Sequence, residues 1–125
     1  MNAISQAMRG YAENSISTRS DRRAEYEIIA RVTQELRDRA VHSKTNFAAF
    51  AEALHTNQRL WTAFVVDIAD AENPLPKELK ARIVYLAEFT RHHTRRILRE
   101  KASVMPLLEI NMAVLRGLKK EGPMT

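Results

Sequence analysis

Side chains able to support acid/base, nucleophilic or metal chemistry are few in this sequence, and their spacing favours none of these chemistries. His92 and His93 are neighbours, so on a helix they point about 100° apart and cannot form the i, i+4 pair of a zinc helix. Asp67, Asp70 and Glu72 lack the glycine and ordered ligand spacing of a calcium loop. No serine or threonine lies in a nucleophile-type context, and cysteine is absent from the 125 residues. We therefore expect no enzymatic activity, no cofactor and no bound metal.

Positive charge is concentrated in the second half of the chain. Residues 1–76 contain nine Lys/Arg and ten Asp/Glu (net −1), whereas residues 77–125 contain eleven and five (net +6), which together give the chain's +5. A possible basic face is formed by four arginines at helical spacing: Arg91, Arg95, Arg96 and Arg99. Such a ridge could bind RNA phosphate or an acidic partner. Alternatively it is a solvated face whose arginines pair locally with Glu88 and Glu100.

Two asparagines stand among apolar residues at helical spacing. In the middle of the chain, steps of three and four residues place one stripe on one face of a helix: Phe47, Phe50, Leu54, Asn57, Trp61, Phe64 and Ile68. Asn111 takes a similar position between Leu108 and Val114. A buried amide without a hydrogen-bond partner costs about 1–3 kcal/mol. We therefore expect Asn57 and Asn111 to hydrogen-bond to each other or to the backbone of a bound partner.

The apolar face around Trp61 is wider than one helix contact needs, because Leu60 and Val65 lie to one side of the stripe. Extra width is what a groove for a partner helix requires, although a tryptophan on a bundle seam is also an ordinary core residue. We predict that six residues form the walls of a partner site or the core directly beneath it: Asn57, Leu60, Trp61 and Phe64 on one helix, and Asn111 and Leu115 on another.

Helices must position all of these residues, since the apolar spacing is helical and no alternating strand pattern is present. The predicted helix starts are Ser20, Thr45 or Asn46, Pro76 and Ser103, and the sequence from Asp70 to Pro74 ends the second main helix. We expect an all-α fold, a small helical bundle of four main helices plus a short N-terminal helix over 4–14. It forms a single domain over 1–125, in which 1–18 are the short helix and a linker and 119–125 a frayed tail.

The cytoplasm is the expected location. The start MNAISQAMRGYAENS is neither basic nor apolar enough for a secretory signal, and no run of residues approaches the roughly 18 apolar residues of a membrane span. We therefore expect no membrane partner.

Three stretches together resemble the flagellar biosynthesis regulator family FlaF: SDRRAEYEIIARVTQEL at 20–36, NQRLWTAFVVDIADAENPLPKELKARIVYLAEFTRHH at 57–93 and SVMPLLEINMAVLRGL at 103–118. They span most of the chain in the expected order. The elements N-x-x-L-W, N-x-L-P-x-x-L-x-A and I-N-x-x-x-x-x-G-L are specific in combination. The family pattern often has a proline where Asp21 stands here, and either residue suits a helix start.

This resemblance implies a cytoplasmic protein needed for flagellin production and export, acting with flagellin and in opposition to the flagellin-translation repressor FlbT. Unassembled flagellin has amphipathic terminal helices, and a bundle with a broad apolar seam could cover them by helix-in-groove binding. We therefore predict a non-enzymatic, chaperone-like flagellin-binding regulator. Two alternatives stay open: an RNA-binding regulator of flagellin message that uses the basic face, and a scaffold for FlbT.

Overall fold

Four α-helices account for most of the part of the chain that the computed structural model describes, residues 18–121, with side chains described over 23–118. They are α1 (Thr18–Val41), α2 (Phe47–Ala69), α3 (Lys77–Glu100) and α4 (Met105–Glu121). No strand occurs within this range. The all-α bundle of four main helices is therefore confirmed. The predicted short helix over 4–14 lies outside the described residues, and α4 includes residues 119–121, which were expected in the tail.

Local chemistry explains both ends of α2. The side chain of Asn46 accepts a hydrogen bond from the Ala49 backbone N–H at 3.2 Å, which makes Asn46 the N-cap, one of the two residues predicted for it. At the other end, Asp70 adopts an extended conformation. Asn73 then donates its side-chain amide to the Asp67 carbonyl at 3.3 Å, which ties the connection back to the helix. The chain consequently turns before Pro74, as the sequence predicts.

Two other helix starts differ slightly from expectation. The start of α1 is at Thr18, so Ser20 lies in its first turn instead of capping it. Pro76 is the extended N-cap of α3 and not its first helical residue, because its φ of −61° and ψ of 151° leave the α region. Ser103 assists the start of α4 by accepting the Met105 N–H at 3.1 Å. Lys101 ends α3 in the left-handed conformation, with φ of 60°.

Short connections make consecutive helices antiparallel, and α1 packs on both α2 and α4, while α2 also packs on α3. The approach of α3 to α4 is much less extensive. We call the end of the bundle that contains the start of α1 and the end of α4 the terminal end. The opposite end contains the connections 42–46 and 101–104.

Two separate apolar clusters fill the interior. The distal cluster, near the opposite end, joins all four helices: Leu36, Phe50, Ala53, Leu54, Ile97, Leu107 and Leu108. The terminal cluster consists of Ile29, Val32 and Leu60, with further half-buried side chains packed on them: Ile28, Phe64, Val114, Leu115 and Leu118. No residue of α3 belongs to the terminal cluster. Among the described helices, none has both the length and the apolar character to cross a membrane.

The N-cap of α2, Asn46, leads to a prediction about stability. We expect Asn46→Ala to lower the free energy of unfolding by about 1 kcal/mol, because the Ala49 N–H loses its acceptor. Urea unfolding monitored by Trp61 fluorescence measures this loss. Lys44→Ala, at an exposed position in the same connection, is the control and should change stability by less than about 0.5 kcal/mol. Equal midpoints for the two variants would show that the cap contributes nothing.

Candidate partner-binding site

A buried hydrogen-bonded network crosses the bundle between the two apolar clusters. Trp61 Nε1 donates to Asn111 Oδ1 at 3.0 Å. Asn111 Nδ2 lies 2.8 Å from Asn57 Oδ1 and 3.1 Å from Thr33 Oγ1, and donates to both. The Thr33 hydroxyl in turn donates a hydrogen bond to the Ile29 carbonyl at 2.7 Å. We call Thr33, Asn57, Trp61 and Asn111 the polar layer.

Each member of the polar layer comes from the core-facing stripe of its helix, which explains why the four side chains meet. Thr33 is on α1, Asn57 and Trp61 are one turn apart on α2, and Asn111 is on α4. The predicted hydrogen bond between Asn57 and Asn111 is confirmed. The roles of Thr33 and of the Trp61 N–H were not predicted. The available signal was the position of Thr33 between Ile29 and Leu36 on the buried face of α1.

Two buried polar atoms near this layer have no hydrogen-bond partner among the described residues: Asn57 Nδ2 and Thr90 Oγ1. Asn57 lies 12 residues before the end of α2, and Thr90 lies 13 residues after the start of α3. Because a helix rises about 1.5 Å per residue, the two side chains stand at nearly the same level of this antiparallel pair. The polar layer therefore extends toward α3. Within residues 23–118, however, no direct hydrogen bond joins α3 to this layer.

Most of the predicted partner-site residues lie in the core. Leu60 and Asn57 are 0% exposed, Asn111 is 1% exposed and Trp61 is 3% exposed. Phe64 and Leu115 are half-buried, and the Phe64 ring meets Trp61 edge to face with centroids 5.4 Å apart. An accessible wall made of Leu60 and Trp61 is therefore not present in this conformation. The sequence predicted either the wall of a partner site or the core directly beneath it, and Leu60 and Trp61 occupy the core.

Leu115, the sixth predicted partner-site residue, is half-buried at the cluster that contains Leu60, as Phe64 is. It packs on the terminal cluster and also lines a shallow depression of about 240 Å³ on the α1 side of α4, with Tyr26, Met112 and Arg116. A second shallow depression, of about 300 Å³, lies between α1 and α2 with a charged rim that includes Arg31, Glu35 and Glu52. The first depression is lined by only four residues and the second has a charged rim, so neither forms the long apolar groove that a helix requires.

The terminal cluster itself is incompletely covered. Phe64 from α2 and Val114 and Leu118 from α4 pack on it but keep part of their surface accessible. On α3, Leu86 is half-buried and Leu79 is 38% exposed, and neither belongs to a buried cluster. We call these five residues the open flank: Phe64, Leu79, Leu86, Val114 and Leu118. The helices α3 and α4, which carry four of these residues, have much less mutual contact than the other packed pairs of helices.

Gly117 lies on α4 beside the open flank and faces open space. A Cβ atom built at Gly117 would meet no described atom within 4 Å. Glycine in a helix interior costs about 1 kcal/mol relative to alanine. Packing within the described chain therefore gives no reason for glycine at this position.

The four arginines of the predicted basic face are all exposed on α3. Arg91 pairs with Glu88 at 2.7 Å and Arg96 pairs with Glu100 at 3.4 Å. Both pairs agree with the predicted local pairing of the arginines with Glu88 and Glu100. Within residues 23–118, neither Arg95 nor Arg99 has a carboxylate partner. Exposed pairs of this kind contribute at most about 1 kcal/mol each.

The histidines have packing or surface positions. His93 is buried, with its ring stacked on Phe89 at a centroid distance of 5.4 Å and Nε2 2.7 Å from the Ser103 carbonyl oxygen. This contact fastens α3 to the connection that precedes α4. His42, His55 and His92 are exposed. Across the described residues, no group of three His, Cys, Asp or Glu side chains could hold a metal ion.

The fold and this site define a small all-α bundle protein, in which a buried polar layer separates a closed apolar cluster from one that is open on a flank. The sequence model of the family described as flagellar protein FlaF matches residues 7–118 of the chain. The chain therefore belongs to the FlaF family of flagellar proteins, and the resemblance noted in the sequence is confirmed. No curated protein and no solved structure gave a significant match.

Proposed function

We propose that this flagellar protein is a non-enzymatic, cytoplasmic regulator of flagellin synthesis and export that binds flagellin in a chaperone-like manner. Family membership supports the flagellar role. The observation that supports helix binding is the open flank, whose side chains keep apolar surface accessible, with Phe64, Val114 and Leu118 packed on the terminal cluster. Apolar surface arranged along the gap between two helices suits an amphipathic helix.

The proposed ligand is an amphipathic terminal helix of unassembled flagellin. Such a helix exposes an apolar stripe, which favours aggregation until another surface covers it. In the open flank this stripe would meet Phe64, Val114 and Leu118. The buried residues Trp61 and Asn111 would then support the contact residues from beneath, since the Phe64 ring rests on Trp61 and Trp61 is held by Asn111.

Flagellin titration against matched leucine variants tests the proposal. We expect Leu118→Ala to weaken flagellin binding about tenfold, because truncation of a central interface residue typically costs more than 1 kcal/mol. Leu98→Ala is the matched control, since Leu98 is exposed on α3 outside the open flank, and its affinity should equal that of the wild type. Circular dichroism verifies that both variants are folded. Equal affinities for Leu118→Ala and the wild type would exclude the flank as the flagellin site.

An RNA-binding regulator of flagellin message is the second candidate, and the exposed, unpaired state of Arg95 and Arg99 within residues 23–118 favours it. It predicts RNA affinity that falls steeply between low and high salt, because phosphate contacts release counterions. It also predicts loss of RNA binding by Arg95→Glu with the fold intact. Flagellin binding that persists at high salt, together with unchanged flagellin affinity in Arg95→Glu, would favour the open flank instead.

A scaffold for FlbT is a further alternative that the same variants separate from flagellin binding. If FlbT uses the basic face, Arg95→Glu should weaken its binding while Leu118→Ala leaves it unchanged. Measuring the two complexes separately, each at two salt concentrations, distinguishes an apolar contact from an electrostatic one.

A further inference from the structure

The polar layer ends at a candidate binding site for a single water molecule. We propose that one buried water lies between α2 and α3, accepts a hydrogen bond from Asn57 Nδ2 and donates one to Thr90 Oγ1. This water joins α3 to the polar layer, to which the other three helices contribute side chains. The inference concerns the interior of the bundle and is independent of the proposed function.

Both partners of the proposed water are buried polar atoms without a hydrogen-bond partner among residues 23–118. Asn57 is 0% exposed and Thr90 is 1% exposed, so bulk solvent reaches neither side chain. Folding is opposed when a polar group gives up its hydrogen bonds to solvent and gains none in the interior. Because α2 and α3 pack on each other, one ligand placed between them can satisfy both atoms.

The hydrogen bonds of the Asn57 amide leave its nitrogen for a partner outside α4. Its Oδ1 accepts from Asn111 Nδ2 at 2.8 Å, and the oxygen and nitrogen of one amide point in different directions. Thr33 of α1 already accepts a hydrogen bond from Asn111. Among the buried polar side chains of α3, Thr90 is the one at the level of Asn57. The remaining donor of the polar layer is therefore level with an unpaired hydroxyl on the helix that the layer lacks.

Small side chains adjoin the proposed water site on both helices. Ala53 lies one turn from Asn57 on the same face of α2, and Ala87 lies one turn from Thr90 on the same face of α3. A methyl group fills much less volume than the leucine side chains that dominate the two apolar clusters. The contact between α2 and α3 is therefore less filled beside the two polar atoms, which favours a small ligand there.

The chemistry of the two atoms favours water over an ion. An amide nitrogen only donates hydrogen bonds, so Asn57 Nδ2 cannot bind a metal cation. The charged side chains nearest to Thr90 in the sequence, Glu88 and Arg91, are exposed and paired with each other, which leaves a buried anion without a partner charge from them. Water is neutral, accepts from an amide and donates to a hydroxyl, and buried waters commonly bridge polar groups that protein atoms leave unpaired.

A crystal structure of the full chain, at a resolution that shows ordered waters, tests the proposal directly. We expect one density peak about 2.7–3.2 Å from both Asn57 Nδ2 and Thr90 Oγ1. The peak should be lost in Thr90→Val, which lacks the hydroxyl, and retained in Thr90→Ser, which keeps it. It should also remain in the control Thr62→Val, because Thr62 is exposed on α2. A missing peak in the natural protein, or a direct hydrogen bond between the two atoms, would overturn the proposal.

The sign of a stability change provides a second test, in solution. With the water bound, Thr90→Val removes one of its partners and should lower the urea midpoint by about 0.5 M relative to the control Thr62→Val. Both changes replace a threonine of a helix interior by valine, so the effect on helix propensity is shared. If the Thr90 hydroxyl has no partner at all, its replacement by a methyl group should instead raise the midpoint. An unchanged or raised midpoint therefore contradicts the water bridge.

Amide hydrogen exchange tests whether the water links α3 to the polar layer. Thr33 of α1 has a direct hydrogen bond to Asn111, whereas Thr90 of α3 reaches the layer only through the water. We therefore expect Thr90→Val to accelerate exchange of the backbone amides around residue 90 more than that of the amides around residue 33. Equal acceleration in α1 and α3 would show that the substitution weakens the bundle as a whole, and would overturn the link.

Discussion

Asn111→Ala is expected to lower the free energy of unfolding by about 3–5 kcal/mol, one of the two largest effects of any single substitution proposed for this protein. The substitution leaves Trp61 Nε1 without its acceptor and Asn57 Oδ1 without its donor, both in the buried interior. Each unsatisfied buried group costs about 1–3 kcal/mol, and the deleted amide also leaves a cavity. Urea unfolding followed by Trp61 fluorescence measures the change, since Trp61 is the only tryptophan.

The neighbouring substitution Met112→Ala is the control for Asn111→Ala, because Met112 is exposed on the same helix and should cost much less. A double-mutant cycle then tests whether the polar layer acts as a unit. Asn57→Leu and Asn111→Leu together should cost less than the sum of the single changes, because the double variant removes both amides from the layer. Strict additivity, or a loss below about 1 kcal/mol for Asn111→Ala, would show that the hydrogen bonds of the layer contribute little to stability.

The course of α2 could be predicted from sequence because local chemistry determines it. Asn46 caps the helix through its own side chain, and the segment from Asp70 to Pro74 cannot continue it. The apolar stripe between them then places Phe50, Leu54 and Trp61 in the interior. Phe47 is the exception on this stripe. It is 52% exposed, because it is the first residue of α2 and the neighbouring helices do not cover that end.

The exact helix starts were less predictable, since several adjacent residues satisfy the same local preferences. Ser20 is a good N-cap in isolation, but the first turn of α1 tolerates it equally well and the helix extends to Thr18. Pro76 suits either the N-cap or the first turn, and the structure has it at the N-cap. These differences of one or two residues do not alter which faces are buried.

The candidate site was predictable only in part. The pairing of Asn57 with Asn111 follows from two amides on apolar faces that have to be satisfied. Which side of the bundle stays open does not follow from any single helix, because it depends on the limited approach of α3 to α4. The contacts between helices are also not visible in one helix alone, so the sequence favoured Leu60 as a contact residue. In the structure its side chain is fully buried against α1.

Leu60→Ala, the second large effect, is expected to lower the free energy of unfolding by about 2–5 kcal/mol. The reason is that the Leu60 side chain is 0% exposed and joins α2 to Ile29 and Val32 of α1. Its matched control is again Leu98→Ala, where the side chain is 43% exposed and the loss should be less than about 1 kcal/mol. Chemical denaturation gives both values. Weakened flagellin binding by Leu60→Ala would report loss of the terminal cluster and not loss of a direct contact, which is why Leu118→Ala is the variant that tests the interface.

The effect of Leu60→Ala on each half of the bundle tests whether the polar layer separates two units of different stability. The distal cluster includes residues of all four helices, whereas the terminal cluster lacks α3. We therefore expect amide hydrogen exchange in Leu60→Ala to accelerate most around the terminal cluster, with smaller changes around the distal cluster, because sub-global opening involves the less supported half first. Equal acceleration in both halves would mean that the bundle opens only as a whole. A terminal half that opens alone would allow a partner helix to enter while the distal half keeps the bundle folded.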